Sequence, residues 1–319
     1  MPDITYPVEL TPPDIEPYRR GNTGIEYVTT FTAAQPGPHV VVCAVTHGNE
    51  ICGAIAVDKL FRAGFRPRRG KLTLAFDNVA AYREFDSRYP IASRYVDEDF
   101  NRLWSPATLD GPRQSTELAR ARALRPVVEA ADFLLDLHSM QHPTAPLMLA
   151  GVLPKSVQLA RQVGIPELII CDPGHAAGPR MRDYGGFSDP ASPKAALLIE
   201  CGQHWERRAA EVATDVTLRF LIAVGAATPD DLAALSGPDF DAHPRQRVIE
   251  VTEAVTISGD RFEFVDDFRG LEVLPKKGSL IGHDGTREVR TPYDDCILIM
   301  PSRRLVKGQT AVRLGRFVE

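Results

Sequence analysis

The chain has 319 residues, enough for one large domain or a large domain with a smaller companion. It is 44% hydrophobic and 25% charged, as soluble globular proteins are, and its formal net charge is -5. Mild acidity argues against nucleic acid or an anionic membrane as partner, and no apolar run approaches the roughly 18 residues of a spanning helix.

The opening stretch "MPDITYPVELTPPDIEPYRR" lacks a basic region followed by an apolar core. We therefore expect no signal peptide and a cytoplasmic location. Cys43, Cys52, Cys171, Cys201 and Cys296 show no C-x-x-C spacing and read as reduced thiols.

The Val-rich run 39–46 predicts a buried strand, and "GAIAVDKLFRAG" after it predicts a helix that stops at Gly64. A strand is expected at 70–78, then a loop and a helix within 105–131, then the strand "DFLLDLHS". "SVQLARQVGI" reads as a helix, "AALLIECGQH" as a strand, and "RRAAEVATDVTLRFLIAVGA" as an amphipathic helix. This alternation predicts an α/β fold on a mostly parallel or mixed sheet flanked by helices. Past "TPDDLAALSGPDFDAHPRQ" only short strand-like runs follow, separated by Gly, Pro and Asp. We expect a catalytic domain over 1–230 and a smaller all-β domain over 231–319 that covers the mouth of its site.

In such sheets ligands bind at the carboxyl ends of strands. His47, His138 and Glu200 each lie at or just past such an end. His47 and Glu50 form an H-x-x-E pair where the chain turns, and His138 can complete three ligands of the kind a catalytic zinc takes. The stretch "SRYVDEDFNRLW" carries Arg94, Asn101 and Arg102 amid acidic residues, a pattern that a solvated, salt-bridged loop would also show.

"THGNEICG", "SRYVDEDFNR", "LLDLHS" and "LLIECGQH", in that order and spacing, resemble the succinylglutamate desuccinylase/aspartoacylase family, a branch of the zinc carboxypeptidase-like hydrolases. The resemblance covers about the first 205 residues, and the closing β-rich region is also typical. It implies one zinc ion per chain, held by His47, Glu50 and His138, with Glu200 as the base for the attacking water. It further implies that Asn101 and Arg102 bind a substrate carboxylate and that Arg94 polarises the scissile carbonyl. Asp99 would hydrogen-bond a zinc histidine, and Tyr293 would contact substrate. The implied activity is deacylation of a small carboxylate-bearing amide such as an N-acetyl or N-succinyl amino acid. A homo-oligomer is compatible with this reading.

Between the third ligand and the base, the interval "CDPGHAAGPRMRDYGGFSDPASPKAAL" departs from the family pattern and offers Arg180 and Arg182 for a second substrate carboxylate. His204 reads as a neighbour of the site or a surface group, Cys201 as a buried neighbour, and His142 as a loop residue. His39, His175, His243 and His283 read as structural or surface residues. The alternatives are a carboxypeptidase acting on short peptides, a non-catalytic metabolite-binding relative, and a cysteine hydrolase using Cys201 with His204 and Glu200.

Overall fold

The computed structural model of the chain describes residues 6–175, 177–237, 240 and 243–318. Its first half comprises β1 (Val28–Thr32), β2 (Gln35–Ala44), α1 (Ile51–Arg62), β3 (Arg69–Phe76), α2 (Val79–Arg83), α3 (Pro106–Leu109) and α4 (Thr116–Ala130). The centre adds β4 (Phe133–Met140), β5 (Leu147–Leu149), α5 (Pro154–Val163), β6 (Leu168–Cys171), β7 (Ala195–Gln203), α6 (Arg207–Ala223) and α7 (Pro229–Leu232). Seven strands follow: β8 (Arg247–Thr256), β9 (Phe262–Phe264), β10 (Val273–Leu274), β11 (Leu280–Asp284), β12 (Arg287–Arg290), β13 (Cys296–Ile299) and β14 (Thr310–Phe317).

The α/β alternation holds. An 11-stranded mixed sheet runs β1-β3-β2-β4-β7-β5-β6-β8-β14-β13-β10, and β12-β11-β9 form a separate three-stranded sheet in the C-terminal region. The neighbours β3, β2, β4 and β7 are parallel, so their carboxyl ends share one edge. Strands β8, β14, β13 and β10 prolong the large sheet through a parallel β6–β8 pairing.

Strand alternation divides the core. Val40 and Val42 of β2 pack on the side of α1 and α6, whereas Val41 and Cys43 pack with Leu118, Ala121 and Trp104 on the side of α4. Fully buried side chains such as Leu137 each contribute on the order of 1.5–3 kcal/mol by leaving water. On β4, Leu135 and Leu137 face one layer, while Leu134, Asp136 and His138 fall on the other parity.

Five strands were not anticipated, β10 and β12 in the C-terminal region and three before it. β1 is half-exposed and lies at the sheet edge, β5 has three residues, and β6 is a four-residue apolar run that periodicity alone does not identify. The expected helix within 105–131 divides into α3 and α4, and the Ser115 hydroxyl accepts from Leu118 N to start the latter.

Candidate active site

Three neighbouring parallel strands carry the site. Leaving β2, the chain passes through Val45 at φ 55, a left-handed conformation rarely taken by a β-branched residue. Asn78 N donates to Val45 O at 3.1 Å and holds that turn, which aims His47 and Glu50 over the strand ends. Glu50 sits at the start of α1. His138 and Glu200 are register partners on β4 and β7.

The ligating atoms of His47, Glu50 and His138 lie within 4.8 Å of one another, and all three residues are buried. His47 Nδ1 is 2.7 Å from Glu50 Oε1, and His138 Nδ1 is 2.8 Å from Glu50 Oε2. The far nitrogen of each imidazole meets an aspartate: Asp99 Oδ1 at 3.0 Å from His47 Nε2, and Asp136 Oδ2 at 2.8 Å from His138 Nε2. A carboxylate at Nε2 favours the proton there and leaves Nδ1 as the donor atom for a metal. Two imidazoles and a carboxylate, so oriented, fit a divalent transition metal such as zinc. Burial alone would raise the Glu50 carboxyl, but His47 and His138 outweigh it and hold it well below the usual range.

Arg94 bridges this group, with Nη2 3.0 Å from His47 Nε2 and 3.2 Å from Asp99 Oδ2, and Nη1 donating to Glu50 Oε1 at 3.2 Å. Its loop is fixed from below by Glu117 of α4, whose carboxylate accepts from the backbone N–H groups of Val96 at 2.6 Å and Asp97 at 3.0 Å. Glu200 is 6% exposed, and its Oε2 has no hydrogen-bond partner among the described residues. Burial, with the nearby Glu50 charge, pushes its carboxyl up to about 8 against the opposing pull of His138 and Arg94. A carboxyl with a raised proton affinity and a spare oxygen therefore stands beside the three potential ligands.

The cleft around these groups has a volume of about 420 Å³. Arg102, Arg180 and Arg313 line it together, near His175. Burial brings Arg102 down to about 10. Asp172 lies 2.8 Å from both Arg180 Nη2 and Arg313 Nε. Asp183 Oδ2 lies 3.9 Å from Arg180 Nη1 as well, so Arg102, with no ion pair among the described residues, is the guanidinium best placed to take an anion.

The model for the succinylglutamate desuccinylase/aspartoacylase catalytic domain matches residues 36–221. The chain is a hydrolase of that family. A succinylglutamate desuccinylase from Pseudoalteromonas atlantica is 24% identical over 86% of this chain and 79% of its own. An N-acyl-aromatic-L-amino acid amidohydrolase (carboxylate-forming) from Danio rerio is 30% identical over 31% of this chain and 32% of that relative. The solved succinylglutamate desuccinylase from Chromobacterium violaceum matches with a TM-score of 0.64 and 16% identity, over 92% of this chain and 89% of that one. That likeness carries the fold.

In this family member, His47, Glu50, Arg94, Asn101, Arg102, His138 and Glu200 all line one cleft. Asn101 is turned inward: its Nδ2 is 3.2 Å from His138 Nε2 and 3.3 Å from Asp136 Oδ2, and its Oδ1 accepts from Met181 N. Tyr293 is not among the cleft-lining residues; its hydroxyl lies 2.5 Å from Thr252 Oγ1. Arg180 lines the cleft, whereas Arg182 donates to Ala150 O and Asp183 outside it. Cys201 is fully buried and absent from the lining, and burial pushes its thiol well up, so it is no nucleophile.

His204 is buried beside the site, 2.8 Å from Ser139 Oγ, and burial lowers it to about 3. His142 and His175, expected to be peripheral, line the cleft as well. Sequence reading missed Asp136, Asp172, Glu117 and Arg313. Asp136 did carry a signal, a carboxylate interrupting an apolar strand two residues before His138, on its face. Asp172 and Arg313 carried none, because 141 residues separate them and only the β6–β8–β14 order brings them together.

Proposed function

We propose that the chain is a zinc-dependent amidohydrolase that cleaves the amide bond of a small N-acyl amino acid. The observation that carries this reading is the convergence of His47, Glu50 and His138 beside the carboxylate of Glu200, whose Oε2 is unpaired among the described residues. The names of the two curated relatives, a desuccinylase and an amidohydrolase, point the same way. His47, Glu50 and His138 would hold one zinc ion, which when bound would supply Lewis-acid polarisation and a lower water pKa.

Glu200 takes the proton from the attacking water and returns it to the amide nitrogen. The water oxygen adds to the carbonyl carbon, the C–N bond breaks, and a carboxylic acid and an amine leave. Arg94 directs a guanidinium at the carbonyl oxygen as negative charge grows there. Arg102 reads the amino-acid carboxylate, and Asn101 contributes by donating to Asp136 and accepting from Met181 N, which fixes the surroundings of the site.

Residues 231–319 act as a covering part over the 1–230 catalytic part, continuous with it through the β6–β8 pairing. Arg269, Met300 and Arg313 from that region line the cleft, which supports exclusion of long peptides.

Metal analysis of wild type and His138→Ala, with hydrolysis assayed on N-acyl amino acids and on blocked dipeptides, tests the proposal. About one zinc per chain is expected, lost together with activity in the variant. Full zinc occupancy in His138→Ala would remove His138 from the ligand set, and faster cleavage of dipeptides would replace the deacylase reading with a peptidase.

A further inference from the structure

A second cavity of about 1050 Å³ adjoins the catalytic cleft. The two share Arg94, Tyr95, His142, His204 and Arg304 as lining residues, so they are continuous past the Arg94–His204 side of the site. Their chemistry differs. Arg102, Arg180 and Arg313 line the cleft alone. The second cavity has an aromatic wall of Tyr6, Trp205, Phe262, Phe264 and Phe268 beside Leu305, with Arg303, Glu263, Asp266 and Asp267 also in its lining.

The aromatic wall is built. Phe264 stands edge-on to Phe262 at 5.0 Å and to Phe268 at 5.9 Å, in the arrangement aromatic pairs prefer. Trp205 is 2% exposed and donates through Nε1 to Asn49 O, which ties the wall to the turn that carries His47 and Glu50. On the other side the Tyr6 hydroxyl lies 3.2 Å from His142 Nδ1. At the junction, His204 Nε2 is buried without a hydrogen-bond partner among the described residues.

We propose that this cavity is the acyl-chain subsite, and that the preferred amides carry a bulky apolar acyl group, aliphatic or aromatic, rather than acetyl or succinyl. The inference rests on the amidohydrolase reading. There the amino-acid carboxylate lies toward Arg102, so the acyl half leaves the scissile amide on the opposite side, toward Arg94 and His204. An acetyl group leaves the aromatic wall unused, and a succinyl carboxylate would meet Glu263, Asp266 and Asp267 as well as Arg303 and Arg304. A hydrocarbon chain or ring gains by leaving water at each methylene.

The test uses zinc-loaded enzyme and N-acetyl, N-butanoyl, N-hexanoyl and N-octanoyl forms of glutamate and of phenylalanine. We expect kcat/KM to rise roughly threefold to fourfold per added methylene until the cavity is filled. Phe264→Ser and Leu305→Trp, one thinning the wall and one filling the space, should each cut the hexanoyl-to-acetyl ratio by about tenfold or more, with thermal midpoints checking that both are folded. Calorimetry with the product acids gives a readout independent of turnover: octanoate should bind far more tightly than acetate.

Turnover of N-acetyl substrates with a flat or falling chain-length series, and octanoate no tighter than acetate, overturns the subsite and leaves the amidohydrolase reading standing. If the protein then runs as a dimer, a second copy covers the aromatic wall instead. A preference that follows the amino-acid side chain and ignores the acyl chain also overturns it. Tight octanoate binding with no hydrolysis of any amide would retain the apolar subsite and sink the hydrolase reading.

Discussion

Asp136 and His138 lie two residues apart on β4, on the same face, and Asp136 Oδ2 sits 2.8 Å from His138 Nε2. Thr46 Oγ1 donates to the other oxygen, Asp136 Oδ1, at 2.7 Å, so the carboxylate is itself oriented. This arrangement turns His138 Nδ1 toward Glu50. Asp136→Asn removes the charge that supports Nε2–H but keeps the shape. Zinc affinity, measured by competition with a chromophoric chelator, should fall about 10–100-fold. Wild-type affinity in the variant would mean that Asp136 plays no part in holding the ligand.

Glu200 separates metal binding from proton transfer. It is not one of the three grouped ligands, and its Oε2 is unpartnered among the described residues. Glu200→Gln is therefore expected to keep about one zinc per chain while kcat falls by about 10²–10⁴-fold with KM little changed. Loss of zinc from this variant would show that Glu200 holds the metal instead of moving the proton.

Much of this was legible in the sequence for physical reasons. A strand that ends in His47 and Glu50, or runs Asp136-Leu137-His138, announces its polar cluster locally, and parallel strands place such ends on one edge. The Arg102, Arg180 and Arg313 cluster was legible only in part. Arg180 and Arg182 look equivalent on paper, yet only Arg180 faces the cleft, because the backbone turns between them around Met181, which is buried in the core beside Trp104. Tyr293 was expected at the site from a positional likeness, and the Thr252 contact on β8 holds it away. The second cavity left no trace, since its aromatic wall is assembled from Tyr6, Trp205 and the small sheet, far apart in the chain.

The Asp172 cluster makes an acid-stability prediction. Burial would raise this carboxyl, but Arg180 and Arg313 outweigh it and hold it at about 2, against a usual 3.8. A folded-state value below the unfolded one contributes stability that is present above about pH 4 and lost as pH falls toward 2, worth about 2 kcal/mol here. Asp172→Asn should therefore unfold at lower urea than wild type at pH 7, and the gap should narrow between pH 4 and pH 2. A gap independent of pH would show that packing, not charge, sets the effect.

Gly48 is where backbone geometry constrains the site most tightly. A Cβ there would lie 2.3 Å from the carbonyl carbon of Ala81, 2.5 Å from Ser93 O and 2.5 Å from Tyr82 N, all main-chain atoms with no rotamer to adjust. These atoms belong to α2 and to the turn that precedes Arg94, and Gly48 N donates to Arg94 O at 3.1 Å. Gly48→Ala must therefore push the His47–Glu50 turn away from the Arg94 loop. Overpacking of this kind costs about 1–3 kcal/mol. The stability loss should come with weaker zinc binding and lower turnover, because His47, Glu50 and Arg94 share one hydrogen-bond network. Denaturant midpoint and zinc content measured on one preparation test both consequences. A Gly48→Ala protein with wild-type midpoint and full zinc would show that the turn accommodates a methyl group and that this close approach does not set the geometry of the site.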